Sequence, residues 1–421
     1  MKASILNASV EFIEQPFLQP LQLSSGLITQ ATEARVTVTV RVGDREGTGR
    51  GSIYLSDLWA WPSAAPSCEL KDAAMRALCE HIASDLVGFC GGEAAHPLEL
   101  GLRLHHRISQ PDEVPLLARA VCASPFDAAI HDAAGQALEQ SAFRFYDVDA
   151  PIPSADQWFS QGAVPAIRQT LRPPVDALNA WIIVGAKDDL ETKIRPLATT
   201  SGIHCFKLKT LAKDNAADAA RTAEVFQAAR TWGPPPVLSI DSNEGNPDAA
   251  SVLDYLERLE ALDPQAYAAL SYLEQPTARD ILASPQDWAA VSQRRPVMLD
   301  EGLTSLDLLP TVKEQHWTGL ALKTCKGHSF TLIAAAWARE NGLKLSLQDL
   351  TNPGYSAIHS FLVGAHIATR NGVELNSFQY TPAANEPWLP ALSGLFQPRN
   401  GVHRIEQTDI TGLGSHLVSI S

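Results

Sequence analysis

Hydrophobic and polar positions alternate along the first part of the chain. The stretches Ser4-Ile5-Leu6-Asn7-Ala8-Ser9-Val10 and Ala34-Arg35-Val36-Thr37-Val38-Thr39-Val40-Arg41 follow the two-residue period of a half-buried strand. Gly43-Asp44-Arg45-Glu46-Gly47 supplies a turn, after which Thr48-Gly49-Arg50-Gly51-Ser52-Ile53 folds back, so residues up to about 60 read as antiparallel. Between these strands, 17–29 is rich in Pro, Leu, Ser and Gly without a period and reads as a long loop. From about 70 the spacing becomes helical, over 71–87 and over 112–123 with Asp112 as N-cap, followed by a small-residue helix over 126–137.

Past a Pro-rich connector at 151–174 the pattern changes to short apolar strands separated by helices. Strands are predicted at 181–185, 204–209, 237–241, 271–274, 297–300, 320–323, 344–348 and 373–377. Their recurrence every roughly 23 to 33 residues marks parallel βαβ units. Eight such strands fit a closed barrel with its chemistry at the strand C-termini. An open doubly wound sheet competes, but no GxGxxG or GxxxxGK[ST] follows any strand.

Composition narrows the picture. At 421 residues, 45% apolar and 19% charged, the chain has ample core for two domains. A net charge of -14 argues against a nucleic-acid surface, which needs clustered Lys and Arg. The six cysteines lack a CxxC pair or regular spacing and read as reduced, buried thiols rather than a disulfide frame or zinc site. Neither a signal-peptide core nor a membrane-length apolar run is present, so a soluble, cytoplasmic protein with no membrane partner is expected.

The strand ends carry the candidate chemistry. The strand 204–209 ends in Lys207-Leu208-Lys209, and the next three strands end in Asp241, Glu274 and Asp300. Each motif has an ordinary reading as a solvated strand end, an Asx turn or a helix cap. Four consecutive ionic strand ends in one parallel sheet, however, bring three carboxylates to one mouth. Such a set repels itself unless a cation neutralises it, and all-oxygen ligation selects a hard divalent ion, Mg2+ before Mn2+. That ion would bind a substrate carboxylate and stabilise the enediolate left when its α-proton is removed. Lys209 is the candidate base, with Lys207 beside it to tune it. Lys323 ends the strand four beyond Lys209 and would face it across a circular mouth, while Lys326 falls past the strand end.

Lys207-Leu208-Lys209, Asp241-Ser242-Asn243, Glu274-Gln275-Pro276, Asp300-Glu301 and Lys323 together resemble, in order and spacing, the enolase superfamily and its muconate cycloisomerase subgroup. The resemblance spans nearly the whole chain. It implies a (β/α)7β TIM-like barrel over 151–384 and an N-terminal α+β capping domain over 1–150, with the tail from about 385 to 421 able to return to the cap. It implies Asp241, Glu274 and Asp300 as Mg2+ ligands, Lys209 and Lys323 as acid/base lysines, and Lys207 as their orienting partner. Asn243, Glu301, Asp349, Ser24 and Tyr54 are candidate supporting or substrate-facing positions. Capping loops at 16–29 and 49–54, with Trp59 and Trp61 behind, would close over a small-molecule carboxylate, and a homo-oligomer fits the family habit.

Departures affect the subgroup. Gly49-Arg50-Gly51 replaces an acidic turn, Lys326-Gly327 replaces a double glycine, and Ser346-Leu347-Gln348-Asp349 lacks a catalytic His. Glu374-Leu375-Asn376-Ser377-Phe378 has no Asp-x-Asp pair for a substrate ammonium. The expected reaction is Mg2+-dependent α-proton abstraction with a racemase, epimerase or cycloisomerase outcome. The alternatives are an acid-sugar dehydratase using the same metal site and a barrel retained as a binding protein.

Overall fold

The computed structural model describes residues 1–23, 26–407 and 409–418. Strands β1 (Ala3–Leu23), β2 (Gly26–Val42) and β3 (Arg45–Tyr54) form an antiparallel sheet in that order. The alternation predicted at 34–41 places Ala34, Val36, Val38 and Val40 on the buried face. The expectation of a long loop over 17–29 is corrected: β1 and β2 continue as a paired ribbon, with Leu21 opposite Ile28 and a register shift between Pro16 and Leu21. Pro16 and Pro20 hide the strand in the sequence, yet β1 is an edge strand, where a missing N–H is tolerated.

Five helices follow: α1 (Asp57–Ala60), α2 (Cys68–Ser84), α3 (Leu86–Phe89), α4 (Pro97–Ile108) and α5 (Leu116–Leu138). The two helices expected at 112–123 and 126–137 are one, α5, running through Pro125. Asp112 is not its N-cap; that carboxylate accepts from Val114 N at 2.9 Å in the preceding turn. The small residues of α5 let it lie directly on β3. A Cβ at Gly49 would collide with the Ala133 backbone and one at Gly51 with the Pro125 carbonyl.

Strands β5 (Trp181–Val184), β6 (Cys205–Lys209), β7 (Val237–Asp241), β8 (Leu270–Glu274), β9 (Val297–Leu299), β10 (Gly319–Lys323) and β11 (Lys344–Gln348) form one parallel sheet in sequence order. Outside it, β4 (Ala177–Asn179) pairs antiparallel with β12 (Val402–Arg404). The C-terminal segment also reaches α5, where Leu413 N donates to Asp132 Oδ1 at 2.7 Å.

The eighth strand expected at 373–377 is corrected to a single bridge, Gln348 with Glu374. Side-chain amides complete the gap. Asn371 exchanges two hydrogen bonds with the Leu347 backbone, at 3.0 and 2.8 Å, on the β11 edge. Gln379 does the same with Ile183, at 3.0 and 2.8 Å, on the β5 edge. An amide side chain offers the same donor and acceptor as a peptide, so both sheet edges are satisfied without a regular strand between them.

The period of two orders the sheet interior into layers. Trp181, Cys205, Tyr272, Met298 and Ala321 form a small apolar cluster of their own. Two residues further along the same strands come Ile183, Lys207, Glu274, Asp300 and Lys323. An apolar plug therefore lies directly beneath the ionic strand ends.

Replacing Gly49 by Ala should lower unfolding free energy by about 2 kcal/mol, because the added carbon must push α5 off β3. Urea melts of the variant and wild type measure this, and an unchanged midpoint would contradict the close contact.

Candidate active site

Register delivers the predicted charges to one place. Lys209 pairs with Asp241 across β6 and β7, and Asp241 with Glu274 across β7 and β8. Lys207 Nζ lies 3.1 Å from Asp241 Oδ2, 2.8 Å from Glu274 Oε1 and 3.3 Å from Glu374 Oε2. Lys209 Nζ donates to the same Asp241 Oδ2 at 2.5 Å and to Asn243 Oδ1 at 2.9 Å. On the other side, Lys323 Nζ sits 2.8 Å from Asp300 Oδ2 and 3.8 Å from Glu274 Oε1. All of these carboxylates are buried.

Neighbouring residues hold them. Gln275 of the Glu-Gln-Pro turn accepts from Asp300 N at 2.9 Å and Gly302 N at 3.1 Å, which fixes the end of β9 against that of β8. Gln348 Nε2 donates to Glu274 Oε2 at 2.6 Å. Lys326, set aside in the sequence because it follows the strand, is buried, and its Nζ donates to the Asp300 backbone oxygen at 2.5 Å. Beyond β11, Asp349 accepts from Thr351 N at 2.9 Å, and Leu350 and Thr351 both adopt positive φ. For a β-branched threonine that backbone is strained, and it places Thr351 at the cavity wall.

Lys207, Lys209, Lys323, Gln348 and Glu374 form part of the parallel-sheet side of one cavity. Phe17, Leu21, Ile28, Tyr54, Leu55 and Trp59 contribute its N-terminal side. Of the supporting positions named from sequence, Tyr54 lines this cavity, its N donating to Asn352 Oδ1 at 2.6 Å. Asn243 and Glu301 are joined to each other, Asn243 Nδ2 donating to Glu301 Oε1 at 3.2 Å. Asp349 is buried behind the wall. Ser24 lies outside the described residues. The structure adds Glu374, Gln348 and Lys326 to the site and puts Trp59, expected behind the closing loops, on the cavity wall itself; for Glu374 the signal was an acid in an apolar run at the eighth strand position.

The charges do not balance. Six carboxylates, those of Asp241, Glu274, Asp300, Glu301, Asp349 and Glu374, surround four amines, Lys207, Lys209, Lys323 and Lys326. Burial, reinforced by Asp241 and Asp300, pushes the Glu274 carboxyl up to about 8, against the pull of Lys207. Burial and Asp300 push Glu301 up to about 7. Burial also raises Asp241 and Asp300, but Lys209 and Lys207 overcome it at the first and Lys323 and Lys326 at the second, leaving both below the usual range. Lys323 is raised: burial lowers it, but Asp300 and Glu274 outweigh that.

Among the described residues no three acidic, imidazole or thiol groups already form a closed ion cage, since the Lys207 and Lys323 ammonium groups lie between the carboxylates. The donor set nevertheless fits a hard divalent ion: it is all oxygen, it is buried, and its six acidic groups outnumber the four amines, so that Glu274, Glu301 and Asp349 are pushed toward the protonated form that an ion would displace.

No family model matches the sequence, and no curated protein does. Solved structures do. A muconate lactonizing enzyme from Pseudomonas fluorescens, complexed with muconolactone, is 19% identical over 100% of this chain and 97% of that one, with a TM-score of 0.67. A dipeptide epimerase from Enterococcus faecalis, complexed with Mg and L-Leu-L-Tyr, is 16% identical over 98% and 99%, with a TM-score of 0.68. An enolase from Bradyrhizobium, complexed with magnesium and mandelic acid, is 18% identical over 98% and 96%, with a TM-score of 0.65. The chain has the mandelate racemase and muconate lactonizing enzyme fold. The likeness extends over both the N-terminal antiparallel sheet and the parallel sheet described above. Among the described residues no helix is long and apolar enough to cross a membrane.

Calorimetric titration with MgCl2 should show one binding event that weakens about ten-fold or more in Asp300→Asn and in Glu274→Gln. Because a proton on Glu274 competes with the ion, affinity should rise with pH up to about 8. Binding that is indifferent to both substitutions would exclude this acidic set as the site.

Proposed function

We propose that the protein is an enolase-superfamily enzyme that removes the α-proton of a small-molecule carboxylate and returns a proton to the resulting carbanion. The observation that carries this reading is that Lys209 and Lys323, four strands apart in one parallel sheet, line the same cavity above a buried acidic set. Asp241, Glu274 and Asp300 are the residues that would hold Mg2+. The ion, when bound, supplies positive charge to the substrate carboxylate and acidifies the adjacent carbon.

The chain's own residues supply the rest. Lys209, fixed by Asp241 and Asn243, approaches the α-carbon from the β6 side, and Lys323, fixed by Asp300, approaches from the β10 side. An amine takes the proton in its neutral form, and the ammonium opposite returns one; Lys323, which Asp300 and Glu274 hold as the ammonium, would become a base only once those carboxylates engage the ion. Two lysines acting in turn give racemisation or epimerisation. One lysine with internal ring closure gives cycloisomerisation. Lys207 bridges Asp241, Glu274 and Glu374 and orients the set.

The ceiling supports a substrate with an uncharged, largely apolar body. Phe17, Leu21, Ile28 and Leu55 match such a body, while Gln30, Ser56, Asp57 and Thr351 add polar groups to the same cavity wall. Among the similar structures, one holds mandelic acid, which is of this type.

The test follows α-proton loss by NMR in deuterated buffer with Mg2+, across monocarboxylates bearing aryl, alkyl or acylamino groups. Exchange should occur for at least one class and fall about 100-fold or more in Lys209→Ala or Lys323→Ala. Exchange at the wild-type rate in both variants would overturn the assignment.

A further inference from the structure

Trp59 belongs to the N-terminal cap, in α1, yet barrel side chains hold it on three sides. Its indole Nε1 donates to Glu301 Oε1 at 2.8 Å. Its ring carries the Lys323 ammonium nitrogen 4.8 Å from the centroid. Its backbone oxygen accepts from Arg279 Nη1 at 3.1 Å, and Arg279 Nε is anchored on Glu244 Oε1 at 2.8 Å. The side chain is 5% exposed. Glu301 Oε1 also accepts from Asn243 Nδ2, and Asn243 Oδ1 accepts from Lys209. A continuous series of contacts thus runs from Lys209 through Asn243, Glu301 and Trp59 to Lys323.

The two ends of this series are held differently. Lys209 is fixed by Asp241 and Asn243, both from the barrel. Lys323 has Asp300 at 2.8 Å and Glu274 at 3.8 Å on one side and the indole face from the cap on the other. The two carboxylates are point partners that hold the nitrogen from one side only. An aromatic face confines the ammonium by its quadrupole without adding a hydrogen-bond acceptor that would compete with Asp300. The indole can do this only in one orientation, and the Glu301 hydrogen bond sets that orientation.

We propose that Trp59 and Glu301 are positioning residues for Lys323, so that seating the cap on the barrel and aligning the Lys323 face of the site are one event. This rests on the proton-transfer reading above. Its consequence is asymmetry: losing the indole impairs proton transfer on one face of the α-carbon and spares the other.

Solvent exchange separates the faces. Each enantiomer of a chiral carboxylate that the wild type exchanges is followed in deuterated buffer with Mg2+, and Lys323→Ala identifies the enantiomer served by Lys323. Trp59→Leu should slow exchange of that enantiomer about ten-fold and leave the other within about two-fold. Trp59→Phe keeps a ring face and loses the N–H, and should fall between Trp59→Leu and wild type on the same face. Glu301→Ala removes the acceptor of the indole N–H and should slow the same enantiomer as Trp59→Leu does, and melting curves verify that each variant folds. Should Trp59→Leu fail to fold, the Trp59→Phe and Glu301→Ala variants decide. Equal slowing of both enantiomers, no slowing of either, or exchange served by Lys209 alone would each overturn the proposal. A wild type that exchanges no carboxylate would instead overturn the proton-transfer reading itself, which is a separate outcome.

Discussion

The structure depends on keeping like charges together out of water. Asp241, Glu274 and Asp300 are buried at adjacent strand ends, where an isolated carboxylate would cost several kcal/mol. They are tolerated because each meets an amine: Lys207 between the first two, and Lys323 between the last two. The remaining negative charge shows in Glu274, which burial and its acidic neighbours hold near 8. A set so arranged is stable only while every member stays in register, so the ionic layer constrains the sheet as much as the sheet constrains it.

The layers around it serve that requirement. Below, the buried cluster of Trp181, Cys205, Tyr272, Met298 and Ala321 packs five of the strands against one another. At the sheet edges, Asn371 and Gln379 act as surrogate peptides, so the segment carrying Glu374 can enter the mouth without a regular strand. Above, α5 is seated closely on the glycines of β3 and joins the N-terminal sheet to the segment that leads to the parallel sheet. Tyr54 at the end of β3 and Trp59 just after it then project over the lysines.

Much of this was legible in the chain. Alternation gave the cap strands, the strand and helix spacing gave the parallel sheet, and apolar runs ending in Lys or acid gave the charges that the structure brings together. Other features were hidden. The strand pairing over 17–23 and 26–29 was masked by Pro16 and Pro20, whose cost depends on whether a strand is central or at an edge, which is a property of the sheet. The strand expected at 373–377 had the composition of a strand, but its ladder is carried by side chains. Lys326 looks unremarkable in sequence, and Glu374 shows only as an acid in an apolar run; their distances to Asp300 and to Lys207 are what place them in the site.

By itself the sequence determined which side chains share a face, because side-chain direction in a strand follows from counting by two. It therefore placed Lys207 with Lys209, and one acid at the end of each following strand. Only the tertiary structure decided which charge meets which. Lys207 and Glu374, or Trp59 and Glu301 at 242 residues' separation, are joined through space by the curl of the sheet and the seating of the cap. Local periodicity carries no information about such distances.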